Sequence, residues 1–233
     1  MDVAVFEFEG VLASTSGARR DALRRSLAED GIALGDGEWS RWYAGLAVGD
    51  AVRAAFARHA RAPGAGVRDE TAADLAVLRA ERWFAERVGK GVTLAEGARD
   101  AVLALAARLR LGLVTRASRR EVEFALRLAE LDGAFQCIVA ADDVRDAKPS
   151  PEGYALALAR LARRAPVRAA RAVAFEDAAP GIRAARAAGV RVVAVGDLPP
   201  HEAIAADAYI PSLAGVTPAS LAALLAPHPF PAR

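Results

Sequence analysis

The chain has 233 residues, beyond the commonest single-domain size, so one large or two unequal domains are expected. Its 54% hydrophobic content can fill a core, and a net charge of +2, with acidic and basic residues interspersed, argues against nucleic-acid or membrane-surface partners. No apolar stretch reaches membrane-spanning length, the opening MDVAVFEFEG lacks the pattern of a signal peptide, and the lone Cys137 has no intramolecular disulfide partner, so a cytoplasmic protein is expected.

Short β-rich runs alternate with stretches of helical periodicity. The strands expected in chain order are Val3–Phe8, Leu111–Thr115, Cys137–Ala140, Ala172–Phe175, Val190–Val195 and the short Ala208–Ile210. Helices are expected over Glu96–Arg108, Arg119–Leu131, Pro151–Arg163, Gly181–Ala188 and Pro218–Leu225, with Gly189 at the helix C-terminal glycine position. Strands of this length separated by helices imply βαβ units and a parallel sheet covered on both faces. Between about Ser16 and Val88 the pattern is helical only (Ala22, Leu23, Leu27; Val52, Ala55, Phe56; Leu75, Leu78, Trp83), as for a cap grown out of the sheet after its first strand. The expected organisation is a core of residues 1–15 and 91–233 with a cap of residues 16–90. Hinges fall near Ala13–Gly17 and Val88–Thr93, a loop at Pro63–Gly66, and a tail at Pro227–Arg233.

Four places at the C-terminal ends of expected strands carry chemistry, where open parallel sheets bind ligands. In Phe6-Glu7-Phe8-Glu9-Gly10, alternation along an extended segment points Glu7 and Glu9 the same way, either as a functional pair or as the solvated face of an edge strand. Such a pair can hold a divalent cation or divide nucleophile and acid/base roles. Val114-Thr115-Arg116 ends an apolar strand in a hydroxyl able to donate to a phosphate oxygen, with Ser118 suited to cap the next helix. Arg116 and Arg119 can reach a substrate anion or lie in solvent. In Asp146-Ala147-Lys148-Pro149-Ser150-Pro151, prolines hold one of only two lysines in the chain, either as a fixed charge for a phosphoryl group or on a surface loop. Phe175-Glu176-Asp177 delivers two adjacent carboxylates, oxygen ligands of the kind Mg²⁺ takes, unless Asp177 or Ala178 only caps the next helix. His59, His201 and His228 have no ligand spacing, and Trp39, Trp42 and Trp83 are expected to pack in the cap core.

Taken in order, VFEFEGVL, LGLVTR, DAKPSPEGY and AFEDAAPGIRAARAAGV resemble the four motifs of the haloacid dehalogenase (HAD) superfamily over essentially the whole chain. The helical insertion after the first motif resembles the subgroup of β-phosphoglucomutase and phosphoglycolate-phosphatase-like enzymes. The resemblance implies an α/β fold with a Rossmann-like parallel sheet and a small all-helical cap. It also implies an Mg²⁺-dependent phosphohydrolase acting on a small phosphorylated metabolite, with a monomer favoured by analogy. Carried over by position, Glu7 falls at the nucleophile and Glu9 at the acid/base, Thr115 and Lys148 at the phosphoryl group, and Glu7, Glu9, Glu176 and Asp177 at the metal; Arg116, next to Thr115, is added to the candidate phosphate-binding residues by its place rather than by the motif. The family has Asp where this chain has Glu7 and Glu9, which leaves a catalytically silent phosphate- and metal-binding protein as the alternative reading. A sugar-phosphate mutase fits less well, because Arg19 stands where the mutase has His and the Gly45–Asp50 loop lacks its Arg. A metal-free dehalogenase fits poorly with the Glu176–Asp177 pair.

Overall fold

The computed structural model describes residues 1–35, 37–44, 46–59 and 70–226; the expected loop at Pro63–Gly66, the tail from Pro227, His228 and Gly45 lie outside them. The first strand, β1 (Val3–Phe6), is buried at every position, as a strand covered on both faces must be. The chain then turns through Gly10, whose φ of 79° suits glycine, into the two-residue strand β2 (Ala13–Ser14). Helix α1 (Ser16–Glu29), a π-helical turn at Trp39–Tyr43, α2 (Val48–His59) and α3 (Glu70–Val88) form the helical cap. The chain returns through β3 (Thr93–Leu94), which pairs antiparallel with β2 and so ties together the two connections expected as hinges.

The remaining elements alternate: α4 (Ala98–Ala106), β4 (Arg110–Val114), α5 (Arg119–Leu128), β5 (Cys137–Val139), α6 (Glu152–Ala162), β6 (Ala172–Glu176), α7 (Ala179–Ala187), β7 (Arg191–Val195), α8 (Pro200–Ala203), β8 (Ala208–Ile210) and α9 (Pro218–Leu224). The main sheet has order β5-β4-β1-β6-β7-β8 with every neighbouring pair parallel, the α/β arrangement expected. Alternation along β1 sends Val3 and Val5 toward α6 and α7, with Tyr154, Leu161 and Ile182. Ala4 and Phe6 face a larger core shared with the cap, where Phe6 stacks on Phe175 at 4.7 Å between ring centroids.

Three expectations change. The first strand ends at Phe6 rather than Phe8, because the chain bends toward Gly10 and leaves the ladder. In α3, Leu75 and Leu78 are exposed, whereas Ala73, Ala76, Ala80 and Phe84 face the interior; small residues let α1 pack close, and Ser26 Oγ donates to the Ala76 carbonyl at 2.6 Å. Trp42 is also exposed, lying against Arg58 at 4.1 Å, and only Trp39 of the three tryptophans is buried. Among the described residues no helix is long and apolar enough to cross a membrane.

Candidate active site

Register builds the site. Phe6 sits beside Leu113 on one side and Phe175 on the other, so three neighbouring strands end at one level. The residues that follow converge on the C-terminal edge: Glu7 after β1, Thr115 after β4, and Glu176 and Asp177 at the end of β6. Lys148 reaches the same point from the loop before α6, where its peptide bond to Pro149 is cis. These side chains line an 80 Å³ cavity with Glu9 and Arg19.

At its centre is a dense polar network. Glu7 Oε1 accepts from Thr115 Oγ1 at 2.6 Å and from the backbone N–H of Phe8 at 2.9 Å and of Glu9 at 3.2 Å. Its other oxygen, Oε2, accepts from Lys148 Nζ. The Lys148 ammonium also donates to the Val114 carbonyl at 2.8 Å and to Glu176 Oε1 at 2.6 Å. The side chains are nearly dry, with Lys148 7% and Glu176 1% exposed. Burial alone would lower the pKa of Lys148, but the adjacent Glu176 and Glu7 carboxylates hold it above the ordinary lysine range.

Glu176 also accepts from the hydroxyl of fully buried Tyr154. Burial pushes its carboxyl above the ordinary range, with Lys148 opposing. Its place depends on Gly181 of α7, because a Cβ there would lie 2.0 Å from Glu176 Oε2. Asp177 packs over Gly10 in the same way: a Cβ on Gly10 would fall 1.9 Å from Asp177 Oδ2. Burial, and then the negative charges of Glu7 and Glu176, push Asp177 up to about 7. Asp177 does not cap α7; Ala178 takes that position without a side-chain bond.

The expectation that Glu7 and Glu9 point the same way is corrected. With the strand ended at Phe6, the alternation no longer applies, and the two carboxylates diverge. Glu9 turns toward the start of α1, accepting from Thr15 N at 3.0 Å, Thr15 Oγ1 at 2.5 Å and Ser16 N at 3.0 Å, with Arg19 at 3.6 Å. It binds the N-terminus of the first cap helix, where unpaired N–H groups and the helix dipole favour an anion.

Arg116 is exposed and lines both the central cavity and a 160 Å³ cavity beside it, bounded by Leu46, Asp50, Val139, Val144 and Arg145. Arg119 is structural instead, held by Asp143 at 2.6 Å and Glu123 at 3.1 Å. Ser118 caps α5 as expected, paired with Glu121 in a capping box. His59 is half-buried at the end of α2, its Nε2 3.5 Å from Glu38.

Sequence reading missed three residues. Tyr154 carried a signal, because a tyrosine facing the sheet needs a partner for its hydroxyl. Arg19 and Glu121 carried none: Glu121 Oε1 accepts from Val48 N of the cap at 3.1 Å and lies 4.0 Å from Arg19, contacts that exist only across the boundary between cap and core.

The oxygen donors suit a hard divalent cation, which would offset the negative charges that Lys148 only partly balances beside Asp177. As arranged, however, Glu7 and Glu176 are engaged by other donors, and Glu9, which lines the same cavity, has its carboxylate bound by Thr15 and Ser16 at the start of α1. Among the described residues no three His, Cys, Asp or Glu side chains come together to hold a metal.

A six-stranded parallel sheet with a helical cap and carboxylate, hydroxyl and lysine side chains at its C-terminal edge defines a class of hydrolase. The chain belongs to the haloacid dehalogenase-like hydrolase family, whose profile matches residues 4–195. It is 32% identical over 195 residues to protein CbbY of Rhodobacter capsulatus, covering 81% of this chain and 82% of that one. It is 30% identical over 216 residues to the validoxylamine A 7'-phosphate phosphatase of Streptomyces hygroscopicus subsp. limoneus, covering 92% and 95% of the two chains. Among solved structures, CbbY of Rhodobacter sphaeroides in complex with phosphate superposes with a TM-score of 0.77 at 28% identity, covering 93% of this chain and 96% of that one. A variant of the same protein in complex with xylulose-(1,5)bisphosphate gives 0.76, also at 28% identity, covering 92% and 96%. HAD phosphatases generally use Mg²⁺.

Proposed function

We propose that this chain is an Mg²⁺-dependent phosphohydrolase acting on a small phosphorylated metabolite. The observation that carries the reading is the meeting of the Thr115 hydroxyl and the Glu7 carboxylate, at the ends of neighbouring parallel strands, with the Lys148 ammonium from the loop before α6. Related proteins named as phosphatases of phosphorylated small molecules support it.

In this reading Thr115, Arg116 and Lys148 hold the phosphoryl oxygens. Lys148, in a nearly dry site, neutralises charge that grows during transfer. Glu7 attacks phosphorus as the bond to the leaving oxygen breaks, and Glu9, once the α1 N-terminus releases it, protonates that oxygen; water, giving its proton to Glu9, then attacks the phosphorus of the Glu7 acyl phosphate, releasing phosphate and restoring the Glu7 carboxylate. Both residues stand where the family has Asp, so each carboxylate reaches farther by one methylene, about 1.5 Å. Glu7, Glu9, Glu176 and Asp177 would hold Mg²⁺, which supplies charge neutralisation at the phosphoryl group. The 160 Å³ cavity beside Thr115 and Lys148 seats the rest of the substrate, with Arg116 and Arg145 at its wall. The core is assigned to residues 1–15 and 91–233 and the cap to 16–90.

A second reading, a protein that binds phosphate and metal without turnover, is favoured by one observation: Lys148 and Thr115 already have protein partners for their protons. Hydrolysis of an aryl phosphate and of a sugar-phosphate panel, with and without Mg²⁺, separates the two. The hydrolase reading expects Mg²⁺-dependent turnover that falls at least about 100-fold in Lys148→Ala, the loss seen when one charge-stabilising donor is removed. No turnover of any ester would reject it in favour of the binder.

A further inference from the structure

Of the donors that the proposed function assigns to a phosphoryl group, the two buried ones, Lys148 and Thr115, are saturated, whereas Arg116 is exposed. An ammonium has three protons, and Lys148 directs them to Glu7 Oε2, the Val114 carbonyl and Glu176 Oε1. Thr115 has one hydroxyl proton, and it goes to Glu7 Oε1. The Phe8 and Glu9 N–H groups, at the turn where β1 gives way to the loop, point to that same oxygen. Four donors from three separate chain segments thus converge on one carboxylate that is 9% exposed. A carboxylate in such a cradle occupies the position of a bound oxyanion.

We infer that Glu7 is the resident anion of this site and the residue that sets its affinity for phosphoryl oxyanions: its carboxylate fills the cradle of Thr115, Lys148 and the Phe8 and Glu9 N–H groups, and a ligand enters only by displacing it. The inference rests on the proposed function for the identity of the ligand, but not on turnover.

Reach is the physical cause. Shortening the side chain by one methylene draws the carboxylate back by about 1.5 Å, half the length of a hydrogen bond, while the charge stays the same. Glu7→Asp therefore frees the Thr115 hydroxyl without altering the electrostatic field of the site. Glu7→Ala empties the cradle and also removes a charge. These two changes separate occupancy from simple repulsion when the titration is run at about pH 8.5, where Asp177 is ionised, since Asp177→Asn then removes a nearby charge and leaves all four donors as they were.

The test is calorimetric titration of the full chain with inorganic phosphate in the presence of EDTA, so that neither metal nor turnover contributes. Thermal melts establish that each variant is folded. The expected result is at least about tenfold tighter phosphate binding in Glu7→Asp and tighter still in Glu7→Ala, with little gain in Asp177→Asn. Acetate, which replaces the missing carboxylate, is expected to compete with phosphate in Glu7→Ala, and adding Thr115→Val to that variant is expected to abolish the gain. Equal affinity in the native protein and Glu7→Asp would overturn the inference, as would a gain in Asp177→Asn as large as in Glu7→Ala. Failure here leaves the hydrolase reading standing, because a native protein that binds phosphate well can still turn over esters. Conversely, a protein with no turnover can still show the gain.

Discussion

Asp177 gives the sharpest quantitative prediction. Burial and the carboxylates of Glu7 and Glu176 raise it from 3.8 to about 7 in the folded protein. Between those values Asp177 holds a proton in the folded state that it lacks in the unfolded chain, so its contribution to stability is greatest at low pH and falls as pH rises, by about 1.4 kcal/mol per pH unit. The whole window, from 3.8 to about 7, is worth about 4 kcal/mol, of which about 3 kcal/mol falls between pH 5 and pH 8. Asp177→Asn cannot ionise and removes this contribution. Urea unfolding in EDTA at pH 5 and pH 8 should therefore show the variant's advantage over the native protein growing by about 3 kcal/mol at the higher pH. That corresponds to a melting-temperature difference on the order of 10 °C for a chain of this length. Mg²⁺ added at pH 8 should recover the native deficit and leave the variant unchanged. Parallel pH curves for the two proteins would refute the argument.

Two further substitutions test the frame around the site. Gly10→Ala places a Cβ 1.9 Å from Asp177 Oδ2 at a φ of 79°, so a loss of at least about 2 kcal/mol in unfolding free energy is expected along with weakened Mg²⁺ binding; unchanged melting would show that the turn relaxes freely. Glu121→Ala removes the acceptor of the Val48 and Ser118 N–H groups and a charge beside buried Arg19, at an expected cost of about 2–3 kcal/mol, with a raised KM as the cap loses its tie to α5. A steady KM would place Glu121 in the structure alone.

Much of the fold was legible because its signals are local. Strand-length apolar runs separated by helical periods specify parallel crossovers, and Ser118, or Gly189 with its φ of 75°, mark helix ends within a few residues of sequence. The interior face of α3 was not legible, because Leu75, Leu78 and the alanine stripe both satisfy a helical period; α1 and α2 decided which side to bury.

The candidate site divides along the same line. The sequence by itself determined which chemical groups reach the C-terminal edge of the sheet: Glu7, Thr115, Lys148, Glu176 and Asp177 follow strand ends or a proline-fixed loop, and parallel register brings them level. Only the tertiary structure decided how they are used. It ended β1 at Phe6, sending Glu7 into the cradle of Thr115 and Lys148 and turning Glu9 toward the start of α1. It gave Glu176 to Lys148 and Tyr154, and it put Arg19 and Glu121 together across the boundary of cap and core. The reason is that a donor selects its acceptor by distance and burial across segments up to 141 residues apart, and no local pattern encodes that choice.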